Sequence, residues 1–229
     1  FPAVAAVTVP ALPQADVEAF SIDDATTTEI DDAFSVQTLP NGNTRVGIHI
    51  AAPTLGVLPN GELDAIAFKR LSTVYMPGNK ITMLPEAAIT PFSLTAGEVR
   101  PALSLYLEIA PDFSIVAQES RVESVKIADN LRHDELEPIF NEETISQPGQ
   151  HPYWERLLLL FNLAESLEKA RGKYDPNRAP QMDYNFYVTD SKVIITERKR
   201  GSPMDKLVAE LMIYANATWG GLLKDANIA

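Results

Sequence analysis

Two runs of alternating apolar and polar residues, 33–39 and 44–50, flank Pro40-Asn41-Gly42-Asn43, and no other local feature constrains the fold as much. Asn-Gly supplies the positive φ angles of a tight hairpin turn, and alternation gives each strand one apolar face. An antiparallel pair that is apolar on one side must then be covered by something else in the chain.

The remainder of the sequence offers both strands and helices for that purpose. Residues 62–71 carry Leu63, Ile66, Ala67 and Leu71 at helical spacing, and strands are expected over 102–109 and 113–125. Residues 151–171 predict a helix with Pro152 near its start and Gly172 just past its end. A second hairpin is expected from 184–188 and 192–197 around Asp190-Ser191, then a last helix over 203–223 with Ser202 as N-cap. Strands lead and helices follow. The fold class is therefore mixed α/β (α+β), a mixed sheet of hairpins packed by helices. Residues 1–15, with Pro2, Pro10 and Pro13 and no helical period, read as an extended arm or linker, leaving 16–229 as the folded domain. Tyr153, Trp154, Met204, Met212 and Trp219 are expected as packing residues of the two long helices.

Composition narrows the function classes. With 229 residues, 45% of them hydrophobic, the chain can bury a core, which excludes disorder as its main description. The longest apolar block, 157–161, is far short of the roughly 20 residues of a membrane span, so no membrane association is expected. Phe1-Pro2-Ala3 is neither an initiator start nor a secretory signal, which suggests a processed or excised chain and a cytoplasmic location. There is no cysteine, which removes disulfides, thiolate metal sites and cysteine nucleophiles. The three histidines His49, His133 and His151 leave little room for an all-histidine zinc site. A formal net charge of −12 argues against nucleic-acid binding by bulk attraction, though not against a local basic channel.

The segment richest in chemistry is Asp23-Asp24-Ala25-Thr26-Thr27-Thr28-Glu29-Ile30-Asp31-Asp32, five carboxylates between the Phe20/Ile22 pair and the first strand of the hairpin. Like charges about 4 Å apart repel by roughly 4 kcal/mol at an effective dielectric near 20. Such a loop must either splay its acids into water or gather them around a cation. Oxygen ligands without cysteine point to Mg²⁺ or Mn²⁺. A calcium-binding helix-loop-helix does not fit, because Ala25, Thr27 and Thr28 stand where it needs polar ligands and glycine. A solvated acidic turn remains the other reading at this level.

Asp23, five residues, Glu29, one residue, then Asp31-Asp32-Ala33 resembles the catalytic signature of the ribonuclease II / ribonuclease R (RNB) family. Further matches follow in that family's order. They are 46–51 (Val-Gly-Ile-His-Ile-Ala), Leu63-Asp64 to Arg70, 72–77 (Ser-Thr-Val-Tyr-Met-Pro), Met83-Leu84-Pro85-Glu86, Phe92-Ser93-Leu94, 100–104 (Arg-Pro-Ala-Leu-Ser) and 209–216 (Ala-Glu-Leu-Met-Ile-Tyr-Ala-Asn). The resemblance implies an RNB-like catalytic domain, incomplete at the C-terminus, and a hydrolytic 3′→5′ exoribonuclease. Such an enzyme shortens single-stranded RNA and releases nucleoside 5′-monophosphates with Mg²⁺ (or Mn²⁺).

By the same resemblance Asp23 and Asp32 are metal ligands, Glu29 assists, and Asp31 is the acid whose loss abolishes chemistry while leaving RNA binding. The family has Asp where this chain has Glu29, which moves that carboxylate outward by about 1.5 Å. Tyr75 matches an aromatic that stacks on a nucleotide near the 3′ end, a sequence-blind contact. Its alternative is a core tyrosine on a short strand. His49, Arg70 and Arg100 are candidate phosphate contacts, with a core histidine and ordinary ion-pair arginines as their alternatives. Glu210 is a candidate ribose contact, or a partner of Arg198 or Arg200. The cluster Arg198-Lys199-Arg200 reads as solvated surface.

In the family a later arginine-bearing active-site segment, an S1 RNA-binding domain and preceding cold-shock-type domains accompany this region, and none of them occurs here. Two other functions stay open: a noncatalytic RNA-binding or assembly protein that retains the fold, and a metal-binding acidic domain unrelated to RNA.

Overall fold

A computed structural model describes residues 7–25, 27–175, 181–190 and 192–228, with the side chains of Gln181 and Lys199 outside that description. The expected hairpin forms as β2 (Asp32–Thr38) and β3 (Thr44–Ala51), paired from Asp32↔Ile50 to Thr38↔Thr44. Gly42 in the turn has φ +85°, which L side chains rarely adopt.

Three more strands complete a closed barrel in the order β1-β2-β3-β6-β7, where β1 is Gln14–Asp23, β6 is Val99–Ile109 and β7 is Ile115–Arg132. The first half of β7 pairs antiparallel with β6. The second half pairs in parallel with β1, from Gln14↔Ser124 to Asp23↔Arg132, and so closes the ring. Two expectations change here. β1 begins at Gln14, within the expected arm, and β7 runs seven residues past 125. Both differences have one cause: β1 and β7 pair with each other, Gln14 with Ser124 and residues 18–23 with 126–132, far apart along the chain.

Alternation assigns the barrel side chains to two faces. Phe20, Phe34, Ile48, Leu105 and Leu107 form one core with α4 (Trp154–Ala170) and α5 (Pro203–Asp225). Small residues occupy the other face: Ala19, Ala33 and Ala102 pack with Val125 and Ile127. Trp154 is buried with its ring edge-on to Phe140 at 5.0 Å, and Tyr153 packs on Phe20 at 4.8 Å. Ser202 caps α5, its Oγ accepting from Asp205 N at 3.1 Å. Gly172, at φ +65°, lies just beyond α4.

The connections carry η1 (Pro53–Gly56), α1 (Glu62–Arg70), the small hairpin β4 (Val74–Met76) and β5 (Asn79–Ile81), α2 (Glu86–Ile89) and α3 (His133–Leu136). Helix α1 forms where its spacing predicts, but it buries none of its residues, and Phe68 is 79% exposed. A second hairpin, β8 (Gln181–Thr189) with β9 (Lys192–Arg200), is longer than expected; Ser191 in its turn and residues 1–6 of the arm lie outside the described residues. Among the described residues no helix is long and apolar enough to cross a membrane.

Candidate active site

The pairing of Phe20 with Phe34 fixes how β1 and β2 lie, and so carries Asp23, at the end of β1, and Asp32, at the start of β2, to the same end of the barrel. The acidic loop between them is strapped by neutral and cationic donors. Ile30 is buried, its N–H donates to Ser93 Oγ at 2.9 Å, and its carbonyl accepts from Leu94 N at 2.9 Å. Arg132 Nη1 donates to the carbonyls of Asp24 (2.9 Å) and Thr27 (3.3 Å), while Ala51 N donates to the carbonyl of Asp31 at 2.8 Å. Asn130 Nδ2 donates to Ser21 Oγ (2.8 Å) and to Leu94 O (2.9 Å), and Ser21 Oγ donates to Asp23 Oδ2 at 2.5 Å. The loop is thus held mainly through its backbone.

The electrostatics are those of acids without enough countercharge. Burial, then Asp23 and Asp31, push the Asp32 carboxyl up to about 7. The Asp31 carboxyl is also raised, by partial desolvation first and then by Glu29 and Asp23, although the residue itself stands exposed. Asp23 is also raised by burial, against the pull of Ser21 and Arg132. Asp32 Oδ2 is buried with no hydrogen-bond partner. A buried carboxylate oxygen with no donor and two acidic neighbours is the chemistry a divalent cation takes, although the ligand atoms of Asp23, Asp31 and Asp32 do not all lie within 4.8 Å of one another in this structure.

Glu29 differs from the three aspartates. Its Oε1 accepts from Lys80 Nζ on β5 at 2.6 Å, and Lys80 also reaches Thr28 Oγ1 at 3.1 Å. Lys80 stands opposite Tyr75 in the β4–β5 register. Tyr75 is 70% exposed, which removes the core-tyrosine alternative. Its phenol is pushed up by partial burial first, then by Glu29 and Asp31, so the ring lies within electrostatic reach of the acidic loop. Nothing in the local sequence signals Lys80; it is found only once the hairpin is placed.

The other candidates are arranged differently. His49 is corrected from a phosphate contact to a core histidine. It is fully buried on the small-residue face, Nε2 bonded to Ser35 Oγ at 2.9 Å and Nδ1 to Ser104 Oγ at 2.8 Å, and burial pushes it down to about 3. Arg70 is exposed and donates to Thr82 O at 2.6 Å, tying the end of α1 to the residue that follows β5. Arg100 donates to Pro91 O at 3.1 Å, and its Nε is buried with no hydrogen-bond partner. Glu210 is buried and held by Arg171 through two bonds, 2.5 and 3.1 Å, rather than by Arg198 or Arg200. A ribose contact there would have to share its carboxylate with that guanidinium.

Arg198 is not the solvated residue its sequence context suggests. Its side chain is 22% exposed and lies 2.7 Å from Asp205, 3.5 Å from Glu137 and 3.8 Å from Asp24. Among the described residues, His133, Glu137 and Asp205 are the three whose ligand atoms all lie within 4.8 Å of one another. Arg198 already supplies a positive charge to two of them. Arg200 is exposed and paired with Asp183, as a surface residue would be.

Comparison with known proteins places this geometry. A family model described as the RNB domain matches residues 14–229. Exoribonuclease 2 of Proteus mirabilis (strain HI4320) is 35% identical over 218 residues, which is 90% of this chain and 33% of that protein. The chain thus spans about one third of the length of that relative. Among solved structures, Mycoplasma genitalium RNase R in complex with ribose methylated single-stranded RNA superposes with a TM-score of 0.79 at 20% identity, covering 95% of this chain and 34% of that one. Yeast Ssd1, a pseudonuclease, gives a TM-score of 0.75 at 17% identity, covering 100% of this chain and 28% of that one. At those identities the two structures share the fold alone.

Proposed function

The chain belongs to the RNB family, and from that premise we propose that it is the carboxylate-bearing part of a metal-dependent, hydrolytic 3′→5′ exoribonuclease. Its substrate is single-stranded RNA and its products are nucleoside 5′-monophosphates. The observation that carries this reading is at one end of the barrel, where Asp23 and Asp31 act electrostatically on Asp32 and Asp32 keeps one buried oxygen without a donor.

Asp23, Asp31 and Asp32 would hold Mg²⁺, or Mn²⁺ in its place, with Glu29 joining only if it gives up Lys80. When bound, the ion supplies positive charge to the scissile phosphate and lowers the pKa of an attacking water. The residues of this chain then divide the remaining work. The straps from Ser93, Leu94 and Arg132 keep the loop in one geometry, which a positioned hydrolysis requires. Tyr75 offers an exposed ring on which a base near the 3′ end can stack whatever its identity, a contact worth about 1–3 kcal/mol. Arg70 and Arg100 remain candidate phosphate contacts at the rim. The RNA seen with Mycoplasma genitalium RNase R supports the substrate class. A cytoplasmic location goes with this reading. So does a requirement for the family's later arginine segment and its S1 and cold-shock-type domains, which would add to the RNA affinity of this acidic chain.

One observation favours a second reading, a noncatalytic RNA-binding or assembly protein on the same fold. Glu29 is engaged by Lys80 and is therefore not free as a ligand. The test is a 5′-labelled single-stranded RNA incubated with the chain, with and without Mg²⁺, beside Asp31→Asn. Stepwise 3′ shortening that needs Mg²⁺ and vanishes in the variant supports the nuclease. Equal RNA binding by both proteins without shortening points to an inert fragment, and the same result in the full-length protein supports the second reading.

A further inference from the structure

The β4–β5 hairpin presents Tyr75 yet buries none of its own residues, so apolar packing does not fix its position. Two-stranded hairpins are marginal in water on their own. Contacts at three places hold this one. At its base Thr73 Oγ1 accepts from Met83 N at 3.1 Å, and Arg70 bonds the carbonyl of Thr82. At its tip Gly78, with φ +72°, comes so near β8 that a Cβ there would lie 3.0 Å from the Val188 side chain. On its flank Lys80 reaches Glu29 at 2.6 Å and Thr28 at 3.1 Å. This last contact is the one that joins the hairpin to the acidic loop.

The geometry of the pair is specific to glutamate. An aspartate at 29 would end about 1.5 Å short, beyond hydrogen-bond reach of an ammonium left where it is. Lys80 lies directly across the ladder from Tyr75, so holding one strand holds the ring on the other. Glu29 also acts electrostatically on the Tyr75 phenol, which places the lysine, the glutamate and the ring in one neighbourhood.

We propose that Lys80 and Glu29 form a latch that sets the Tyr75 ring relative to the metal-holding aspartates. Lys80 is thereby a positioning residue for the 3′-terminal nucleotide. Glu29 owes its extra methylene to its partner on the hairpin rather than to a metal. The latch is a property of this fold; its consequence for RNA rests on the function proposed above.

Two measurements on the whole chain separate those layers. The first is amide hydrogen exchange of the β4–β5 strands, without RNA or metal, in Lys80→Met, Glu29→Asp, the double variant and Lys80→Arg. The latch predicts exchange about two- to fivefold faster in each single loss, the range a partly exposed ion pair carries. It also predicts no further increase in the double variant and near-native exchange in Lys80→Arg. Unchanged exchange in Lys80→Met, or additive increases in the double variant, overturns it.

The second is affinity for single-stranded oligoadenylate in Mg²⁺, with Lys80→Met made in the native and in the Tyr75→Ala background. Positioning predicts a loss in the native background that disappears when Tyr75 is already gone. A loss that persists in Tyr75→Ala makes Lys80 a direct phosphate contact and overturns the positioning role. A native chain with no RNA affinity takes down the functional reading and the positioning role together, while the exchange result still decides the latch.

Discussion

His49 and Asp32 lie one ladder step apart, Asp32 opposite Ile50 and Ala33 opposite His49; His49 is fully buried, and Asp32 is half-buried with one carboxylate oxygen out of water. The fold treats them in opposite ways. His49 has a serine hydroxyl on each ring nitrogen and is neutral, its pKa pushed down to about 3 by burial. Asp32 keeps an oxygen with no donor and has Asp23 and Asp31 beside it, which with burial bring it up to about 7. A buried polar group with all its bonds made is architecture. One left short of a partner marks where something from solution is expected to bind.

The sharpest way to break this contrast is Asp31→Asn. RNA shortening should fall by more than about 100-fold, the scale of removing one electrostatic group from a catalytic site, while RNA binding persists. A variant as active as the native chain in a gel assay would remove the acidic loop from the chemistry.

Next in size is His49→Leu, which strands the Ser35 and Ser104 hydroxyls in the core. Two buried hydroxyls without partners cost about 2–5 kcal/mol together, seen as a lower urea midpoint at unchanged slope. A loss below 1 kcal/mol would mean that those serines find other partners.

Acidity should separate the two groups by sign. The folded pKa of His49 lies below its unfolded value of 6.5, so between pH 6.5 and 3 the unfolded chain binds more protons. Stability from this group is full above 6.5 and is lost as pH falls, at about 1.4 kcal/mol per pH unit. Asp32 runs the other way. Its folded pKa of about 7 exceeds the unfolded 3.8, so its contribution grows as pH drops from 7 towards 4 and is lost as pH rises through 7. Without metal, Asp32→Asn should therefore be more stable than the native chain at pH 8, by about 2 kcal/mol after allowance for the new amide's own needs, with the advantage gone by pH 5. Added Mg²⁺ should raise the native Tm at pH 8 and leave Asp32→Asn nearly unmoved, because only a group that binds in the folded state stabilises by mass action. Thermal melts at the two pH values, with and without Mg²⁺, check both statements.

The smallest effect is expected from Ser93→Ala, which removes the acceptor of the buried Ile30 N–H. It should cost about 1 kcal/mol and weaken the Mg²⁺-induced shift, since the acidic loop loses a strap. A full Mg²⁺ shift in this variant would show that the loop keeps its shape without Ser93.

Much of the scaffold was legible because its signals are local. Asn41-Gly42 set the β2–β3 register, Ser202 starts α5 and Gly172 follows α4. The aspartates were legible as a set because they are crowded within ten residues of sequence. What was not legible depends on distant pairing. β1 and the second half of β7 define each other as strands across roughly a hundred residues, and neither shows a turn signal that would mark it. Arg198 sits in a basic run that reads as surface, yet Asp205, Glu137 and Asp24 converge on it from three separate segments. His49 drew attention beside the strand motif, and only the pairing of β3 with β2 on one side and β6 on the other placed its ring between Ser35 and Ser104.

By itself the sequence determined the hairpin and the two long helices, since these rest on alternation and capping that act over a few residues, and its ordered motifs carried the resemblance to the family. The tertiary structure alone decided which acids lack a partner, which candidate contacts are buried, and that Lys80 meets Glu29. Desolvation and charge pairing depend on which atoms share a few ångströms of space, and residues fifty or a hundred positions apart share it only after the barrel has closed.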